Sequence, residues 1–153
     1  MRSLVSVRQV AAQPIAAVRA RMAAREIPSR FKEPLDKVWA FLGRHPELRA
    51  GGHNLFLYHH DMDVSGAMTI DFGVQVPRTF EAEGDVFCAM TPAGEATTVK
   101  HTGAYSEMGL AHAAVHAWMK ENGRPDGGCS WEIYGDPTDD PAGVEIDIFY
   151  LLG

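Results

Sequence analysis

The sequence predicts an α+β fold in which two similar halves supply about eight mostly antiparallel strands and two main helices around a central cleft. The chain contains an internal repeat, because segment 131–152 matches segment 55–76 at a constant spacing that aligns Tyr58 with Tyr134. Helix-like and strand-like patterns also follow the same order in both halves. Shorter matches lie upstream, 38–46 with 115–123 and 16–22 with 97–103.

Each half has the predicted order β-β-α-β-β with short hairpin connections. Alternating or β-branched runs between turn residues predict the strands, at 5–10, 16–23, 55–60 and 68–76 in the first half and at 86–90, 96–101, 130–135 and 144–152 in the second. We expect a single domain over 1–153, with halves at about 4–76 and 86–152. The loop 135–143 is dense in turn residues.

Apolar residues three and four positions apart predict one helix in each half. Pro34 fits the first turn of the first helix, and His45-Pro46 ends it. The second helix is expected at 106–122, with Gly123 as its C-cap. The predicted apolar stripes are Leu35, Val38 and Leu42 in the first helix, and Met108, Ala111, Val115, Trp118 and Met119 in the second. If both stripes pack on one sheet face, a cleft remains at the pseudo-two-fold axis between the halves.

Composition excludes several classes of function. A net charge of −6 with dispersed basic residues argues against direct nucleic-acid binding. The chain has no apolar run of about 18 residues and no secretory signal, so we expect a cytoplasmic protein without a membrane span. Cys88 and Cys129 lack CxxC spacing, and we expect them to be reduced.

Glu132 is the best candidate for a functional residue, because the first half has Phe56 at the equivalent position. If Phe56 points toward the core, the repeat turns Glu132 inward as well, on the same strand face as Tyr134. A carboxylate among aromatic rings in a cleft suits a lipophilic cation, with cation–π attraction adding about 0.5–2 kcal/mol. Alternatively, burial raises its pKa and suits it to general-base catalysis. A third possibility is an ion pair on a solvated sheet face.

Several aromatic residues are candidates to line the cleft. Tyr105 lies at a strand-to-helix junction, and Phe149 and Tyr150 lie on opposite faces of the last strand, so that only one of the two reaches the site. The candidate ligand-binding residues are Glu132, Tyr134, Tyr105, Phe56, Tyr58, Trp39, Trp118 and Phe149.

No metal site or cofactor is expected. His59 and His60 point to opposite faces of a strand, and the i,i+4 pair His112 and His116 lacks the HExxH pattern and a third ligand. We therefore expect His112 to be a packed or partly exposed histidine. The sequence has no phosphate-binding Gly-rich loop and no G-x-S-x-G elbow.

The doubled half-domain, the "KHTGAYSEM" segment and the closing "WEIYGDPTDDP…VEIDIFYLL" segment resemble the GyrI-like small-molecule-binding domain. This domain is also the effector-binding module of AraC-type and BmrR-type transcription regulators. The resemblance covers about residues 4–152 and implies two fused βαββ-type units around a cleft. Glu132 matches the glutamate at the cleft floor of that family, and Tyr105 matches the tyrosine of its H-x-G-x-Y junction. Few residues precede the first strand, so we expect a stand-alone domain without a helix-turn-helix arm.

The sequence is compatible with three functions. The first is binding of lipophilic, aromatic or cationic small molecules for sensing or sequestration. The second, implied by the resemblance, is hydrolysis of reactive cyclopropane-type natural products, with Glu132 as general base and Tyr105 or Tyr134 assisting. The third is docking on a protein partner such as DNA gyrase or a regulator. Neither the ligand nor the oligomeric state follows from the sequence.

Overall fold

The computed structural model describes residues 4–136 and 144–153, so most of the predicted loop 135–143 lies outside the described residues. Within these ranges the chain forms eight strands and two main helices, as the sequence predicts. The strands are β1 (Ser6–Val10), β2 (Pro14–Ala23), β3 (Asn54–His59), β4 (Ala67–Gln75), β5 (Phe87–Met90), β6 (Gly94–Thr102), β7 (Asp126–Tyr134) and β8 (Glu145–Leu152). The helices are α1 (Ile27–Arg30), α2 (Lys32–Arg44) and α3 (Met108–Glu121). The single turn of α1 has no counterpart in the sequence prediction.

All eight strands belong to one sheet with the order β1-β6-β8-β7-β3-β4-β2-β5, and every pairing is antiparallel. Helix α2 packs on β2 and β4, and α3 packs on β6 and β8. The two central strands, β3 and β7, therefore lie between the helices. The expected cleft is found above these two strands.

The helices form where the predicted apolar stripes recur. Leu35, Val38 and Leu42 are buried on α2, and Pro34 occupies its first turn, where a missing backbone N–H breaks no hydrogen bond. A 3₁₀ turn at Tyr105–Glu107 leads into α3. The chain leaves α3 through Gly123, whose φ of 61° lies in the left-handed region that glycine adopts without strain.

The strand registers reproduce the internal repeat. Phe56 pairs with Phe72 across β3 and β4, and Glu132 pairs with Ile148 across β7 and β8, the equivalent positions in the second half. Phe56 and Glu132 are also direct partners across the central pair of strands. Two equivalent residues can pair with each other only at the symmetry axis, so the pseudo-two-fold axis passes through this pair.

The first strand of each half does not pair as the sequence prediction assumed. We expected hairpins joining β1 to β2 and β5 to β6, but β1 pairs with β6 and β5 pairs with β2. Each half therefore receives its edge strand from the other half. The short loops from β1 to β2 and from β5 to β6 connect strands that lie far apart in the sheet. The hairpin prediction is wrong for these two loops because proximity in sequence does not determine strand pairing.

The helix face of the sheet has one apolar cluster beneath each helix. In the first cluster, Phe41 of α2 packs with Phe72 of β4, and in the second, Val115 of α3 packs with Ile148 of β8. A third cluster fills the opposite face, where Trp131 stacks on Phe149 with ring centroids 5.2 Å apart. The two helix-side cores leave a gap between them, and the functional candidates lie in that gap.

An ion pair recurs in both halves. On β2 and β4, Arg19 binds the fully buried carboxylate of Asp71 at 2.7 Å. At the equivalent place, Lys100 lies 3.5 Å from Asp147, and both side chains are largely exposed.

Cys88 and Cys129 are free thiols. Among the described residues, no helix is long and apolar enough to cross a bilayer.

Candidate functional site

A cavity of about 570 Å³ opens on the helix face of the sheet, above β3 and β7. Its size is within the usual range for small-molecule sites. The lining combines residues of both halves with the turn after β3. The lining residues are Ala24, Ile27, Tyr58, His60, Met62, Met68, His112, His116, Asp126, Ser130, Glu132 and Tyr150.

Glu132 lies at the floor of this cavity and is only 5% exposed. Strand alternation turns it to the helix face, as the comparison with Phe56 predicts. One carboxylate oxygen, Oε1, accepts hydrogen bonds from the Tyr58 hydroxyl at 2.5 Å and the Tyr134 hydroxyl at 2.6 Å. The other, Oε2, lies 2.7 Å from Nε2 of His112. Three donors therefore hold the carboxylate in one orientation.

These hydrogen bonds set the charge at the cavity floor. Burial alone would raise the pKa of Glu132, but the hydrogen bonds from His112, Tyr134 and Tyr58 outweigh it, and the pKa is lowered. Burial and the Glu132 charge raise the pKa values of Tyr58 and Tyr134, so both phenols stay protonated as donors. Glu132 is thus an anion with a depressed pKa, which makes it a weak base. The net direction of the pKa shift is therefore opposite to the increase that burial alone would produce.

His112 connects Glu132 to the last strand. An ionised carboxylate can only accept hydrogen bonds, so Nε2 of His112 carries the proton of that contact. On the other side of the ring, Nδ1 lies 2.6 Å from the Tyr150 hydroxyl. The same hydroxyl is 3.5 Å from Nε2 of His116. The chain Glu132–His112–Tyr150 accommodates both neutral and protonated imidazole, because the Tyr150 hydroxyl can either donate or accept.

This polar chain is the counterpart of an apolar group in the first half. Extending the repeat matches aligns Leu35 with His112, Phe56 with Glu132 and Val74 with Tyr150. All three apolar residues are buried in the cluster beneath α2. The second half has therefore replaced an apolar cluster with a hydrogen-bonded network at the same place. The repeat comparison that singles out Glu132 also contained the signal for His112 and Tyr150, which the sequence prediction of the site omitted.

Four of the predicted aromatic residues lie close to Glu132. Tyr58 and Tyr134 bind it directly, and the Phe56 ring lies 5.0 Å from the Tyr134 ring. Tyr105 is 59% exposed and does not line the cavity, but its ring is 6.3 Å from that of Tyr134. The structure thus brings together Glu132, Phe56 and the three predicted tyrosines.

The other three predicted aromatic residues lie elsewhere. Trp39 of α2 does not line the cavity, and its indole N–H donates to Asn54 at the start of β3 at 3.0 Å. Trp118 packs at the edge of the cluster beneath α3 and does not line the cavity. Phe149 stacks on Trp131 on the opposite sheet face, so its neighbour Tyr150 is the residue that reaches the site. We therefore exclude Trp39, Trp118 and Phe149 from the candidate site.

The cavity has one apolar wall and one polar wall. Ile27, Met62 and Met68 supply apolar surface from the first half, and Met62 is 62% exposed at the rim. The histidines, Ser130 and Glu132 form the other wall. No lysine or arginine is among the described residues that line it. Within residues 4–136 and 144–153, no group of three His, Cys, Asp or Glu side chains is arranged to hold a metal ion.

Comparison with known proteins identifies the family of this fold. The GyrI-like small molecule binding domain matches residues 4–150, nearly the whole chain. The chain belongs to the GyrI-like family. This small-molecule-binding family is the one that the sequence motifs resemble, and its fold agrees with the sheet and helices described above. No curated protein sequence matches the chain significantly.

Solved structures share the GyrI-like fold at low sequence identity. The C-terminal domain of EcmrR is 20% identical with a TM-score of 0.81, covering 100% of this chain and 99% of that one. A hydrolase encoded by lin2189 from Listeria innocua is 14% identical with a TM-score of 0.68, covering 99% and 93%. SAV2435 bound to tetraphenylphosphonium is 11% identical with a TM-score of 0.68, covering 98% and 94%. At these identities the similarity establishes the fold alone.

Proposed function

We propose that this GyrI-like protein binds lipophilic organic cations in the central cavity, with Glu132 as the counter-ion. The observation that supports this proposal most strongly is a buried, ionised carboxylate at the floor of a cavity whose described lining contains no lysine or arginine. The apolar wall of Ile27, Met62 and Met68 suits the hydrocarbon part of such a ligand. SAV2435, a neighbour in fold, has been solved with tetraphenylphosphonium, a cation of this class.

The geometry favours binding over catalysis by Glu132. Both carboxylate oxygens already accept hydrogen bonds, and the lowered pKa of Glu132 reduces its basicity. A general base works best with a pKa near the operating pH. A counter-ion, in contrast, has to remain charged, and the two tyrosines and His112 favour the charged form. Hydrolysis that uses Glu132 as its base is therefore the weaker proposal for this site.

Calorimetric titration with tetraphenylphosphonium tests the proposal, because the charge of this cation does not change with pH. Replacing Glu132 with Gln preserves the shape of the side chain and removes its charge. A charge–charge contact at roughly 5 Å with an effective dielectric constant of about 20 is worth about 3 kcal/mol. We expect Glu132→Gln to weaken binding by about a hundredfold.

The matched control is Glu121→Gln, which removes an exposed carboxylate at the end of α3 and should leave the affinity unchanged. A neutral analogue, triphenylphosphine oxide, should bind wild type and Glu132→Gln equally. Equal binding of the cation by wild type and Glu132→Gln would refute the counter-ion role. Such a result would assign the affinity for the cation to the apolar wall of the cavity instead.

A further inference from the structure

The cavity contains a second hydrogen-bonded chain that does not involve Glu132. Nδ1 of His60 lies 2.6 Å from a carboxylate oxygen of Asp126, and Nε2 lies 2.8 Å from the Ser130 hydroxyl. The carboxylate therefore bonds one ring nitrogen and the hydroxyl bonds the other. All three residues line the cavity.

A β-bulge in β7 builds this arrangement. The pairing of β7 with β8 shifts register between Asp126 and Ser130, and Gly127 and Gly128 occupy the shift. The backbone N–H of His60 donates to the Gly128 carbonyl at 2.9 Å, which anchors the histidine beside the bulge. Bulges redirect side chains and recur beside active sites. Here the bulge brings the two ends of one short segment to the same imidazole.

The hydrogen bonds determine the roles of the three groups. Asp126 accepts, so Nδ1 of His60 carries the proton and Nε2 presents a lone pair to the Ser130 hydroxyl. The His60 side chain is 20% exposed and that of Asp126 is 47% exposed, whereas Ser130 is 4% exposed. Ser130 is also the direct cross-strand partner of Tyr150, so the two side chains lie on the same face of the sheet. A nucleophile, a base and an orienting carboxylate therefore meet at one point of the wall, with the Tyr150 ring on the neighbouring strand.

We propose that Ser130, His60 and Asp126 form a catalytic triad that hydrolyses carboxylic esters in this cavity. The three triad residues are distinct from those that hydrogen-bond Glu132, although both sites share one cavity. Triads of this kind are recognised by geometry and not by sequence motif, since the same constellation recurs on unrelated folds. The absence of a G-x-S-x-G elbow from the sequence is therefore no obstacle.

In the first half of the reaction, the Ser130 oxygen attacks the ester carbonyl carbon while Nε2 of His60 takes the hydroxyl proton. The carbonyl oxygen becomes an oxyanion. When His112 is protonated and donates its Nδ1–H to the Tyr150 oxygen, the Tyr150 hydroxyl proton is free to stabilise this oxyanion by a hydrogen bond. The carbon–oxygen bond to the alcohol then breaks, and His60 returns its proton to the departing alcohol. In the second half, His60 takes a proton from water, whose oxygen attacks the acyl-serine. Ser130 regains the proton, and a carboxylic acid is released.

The walls of the cavity define the class of ester. The apolar side chains of Ile27, Met62 and Met68 face the polar wall, so an aromatic or other apolar alcohol part fits opposite the triad. Ser130 lines the cavity but is only 4% exposed, so we expect it to accept only a small acyl group. p-Nitrophenyl acetate combines both properties and reports turnover by absorbance.

The first experiment measures steady-state hydrolysis of p-nitrophenyl acetate by the whole chain, with more than ten turnovers per molecule. We expect Ser130→Ala and His60→Asn to lower the rate at least a hundredfold. Ser106→Ala, the matched control, removes the hydroxyl of an exposed serine and should retain the wild-type rate. Thermal unfolding of each variant verifies that it is folded.

The second experiment needs no variant and therefore does not depend on folding of Ser130→Ala. Diisopropyl fluorophosphate phosphorylates an activated serine, with formation of a bond from the Ser130 oxygen to phosphorus and loss of fluoride, while His60 takes the proton. We expect one adduct on wild type, mapped to Ser130 by peptide mass spectrometry. Absence of an adduct at Ser130, or full activity of folded Ser130→Ala, would overturn the triad. Loss of hydrolysis in Glu132→Gln alone, with Ser130→Ala active, would assign the chemistry to Glu132 instead.

Discussion

Tyr58 and Tyr134 offer the most direct test of how the buried charge is held. Each donates its hydroxyl proton to the same oxygen of Glu132, at 2.5 Å and 2.6 Å respectively. Replacing either tyrosine with phenylalanine removes one oxygen atom and leaves the ring in place. A hydrogen bond to a charged group contributes about 1.5–3 kcal/mol. We expect each substitution to lower the free energy of unfolding by about 2 kcal/mol at pH 7.

The double substitution should cost more than the sum of the two single ones. After one hydroxyl is removed, the other still satisfies Oε1 of Glu132, but after both are removed this buried oxygen has no donor. An unpaired buried charge carries its full desolvation cost. We expect a coupling energy of about 1 kcal/mol, since the two groups share one partner.

Urea unfolding monitored by tryptophan fluorescence measures these differences. A change of about 2 kcal/mol moves the midpoint by roughly 1 M when the slope is about 2 kcal/mol per M. Tyr105→Phe is the control, because it removes the same atom from an exposed side chain and should change stability by less than about 0.5 kcal/mol.

The pH dependence gives a second check with a definite sign. The pKa of Glu132 is lowered in the folded state, so its contribution to stability is complete above its unfolded pKa and is lost as the pH falls through the folded value. The destabilisation by Tyr58→Phe should therefore shrink between pH 7 and pH 3. Losses below about 0.5 kcal/mol at pH 7, or losses independent of pH, would refute the view that the tyrosines stabilise an anion.

Three further predictions concern the fold around the site. Arg19→Met leaves the buried carboxylate of Asp71 with fewer partners and should lower the free energy of unfolding by about 2–3 kcal/mol in urea. Lys100→Met, in the exposed equivalent pair, should lower it by less than about 1 kcal/mol. Equal losses would show that burial does not distinguish the two pairs. Phe41→Ala opens the cluster beneath α2 and should cost about 3–5 kcal/mol by the same assay, and a loss below about 1.5 kcal/mol would show that the cluster refills the gap. Hydrogen bonds, first from the Ser65 hydroxyl, lower the pKa of Asp63 to about 2 from its ordinary 3.8. Asp63→Asn should therefore reduce the melting temperature at pH 7, and this difference should vanish as the pH falls from about 4 toward 2. A difference that stays constant with pH would show that the Asp63 charge does not contribute to stability.

Much of the fold could be predicted from the sequence because its elements follow local rules. All eight strands and both main helices appear where alternation and helical spacing place them. The exchange of β1 and β5 could not be predicted in this way. Pairing of Ser6 with Thr98 joins residues far apart in the chain, and no local pattern distinguishes it from a hairpin.

The site could be predicted in part, for a related reason. Strand alternation and the repeat place Glu132 and Tyr134 on one face, where Glu132 lines the cleft and Tyr134 hydrogen-bonds it. His112 has the helical spacing of an apolar stripe, so its contact with Glu132 becomes visible only when α3 is placed over the sheet. The same holds for His60, whose two partners lie at opposite ends of a bulge that the sequence does not indicate. Predictions of function based on single strands therefore miss contacts that form between elements.

The position of Phe56 and Glu132 on the axis constrains how a single charge can arise there. In an assembly of two identical chains with this architecture, the axis would place two copies of one residue side by side. Two glutamates would repel each other at the closest cross-strand spacing, and two phenylalanines would offer no charge. Joining the halves in one polypeptide allows the two copies to diverge, one as anion and one as ring. The charge of Glu132 on the axis therefore depends on covalent fusion as much as on the side chains around it.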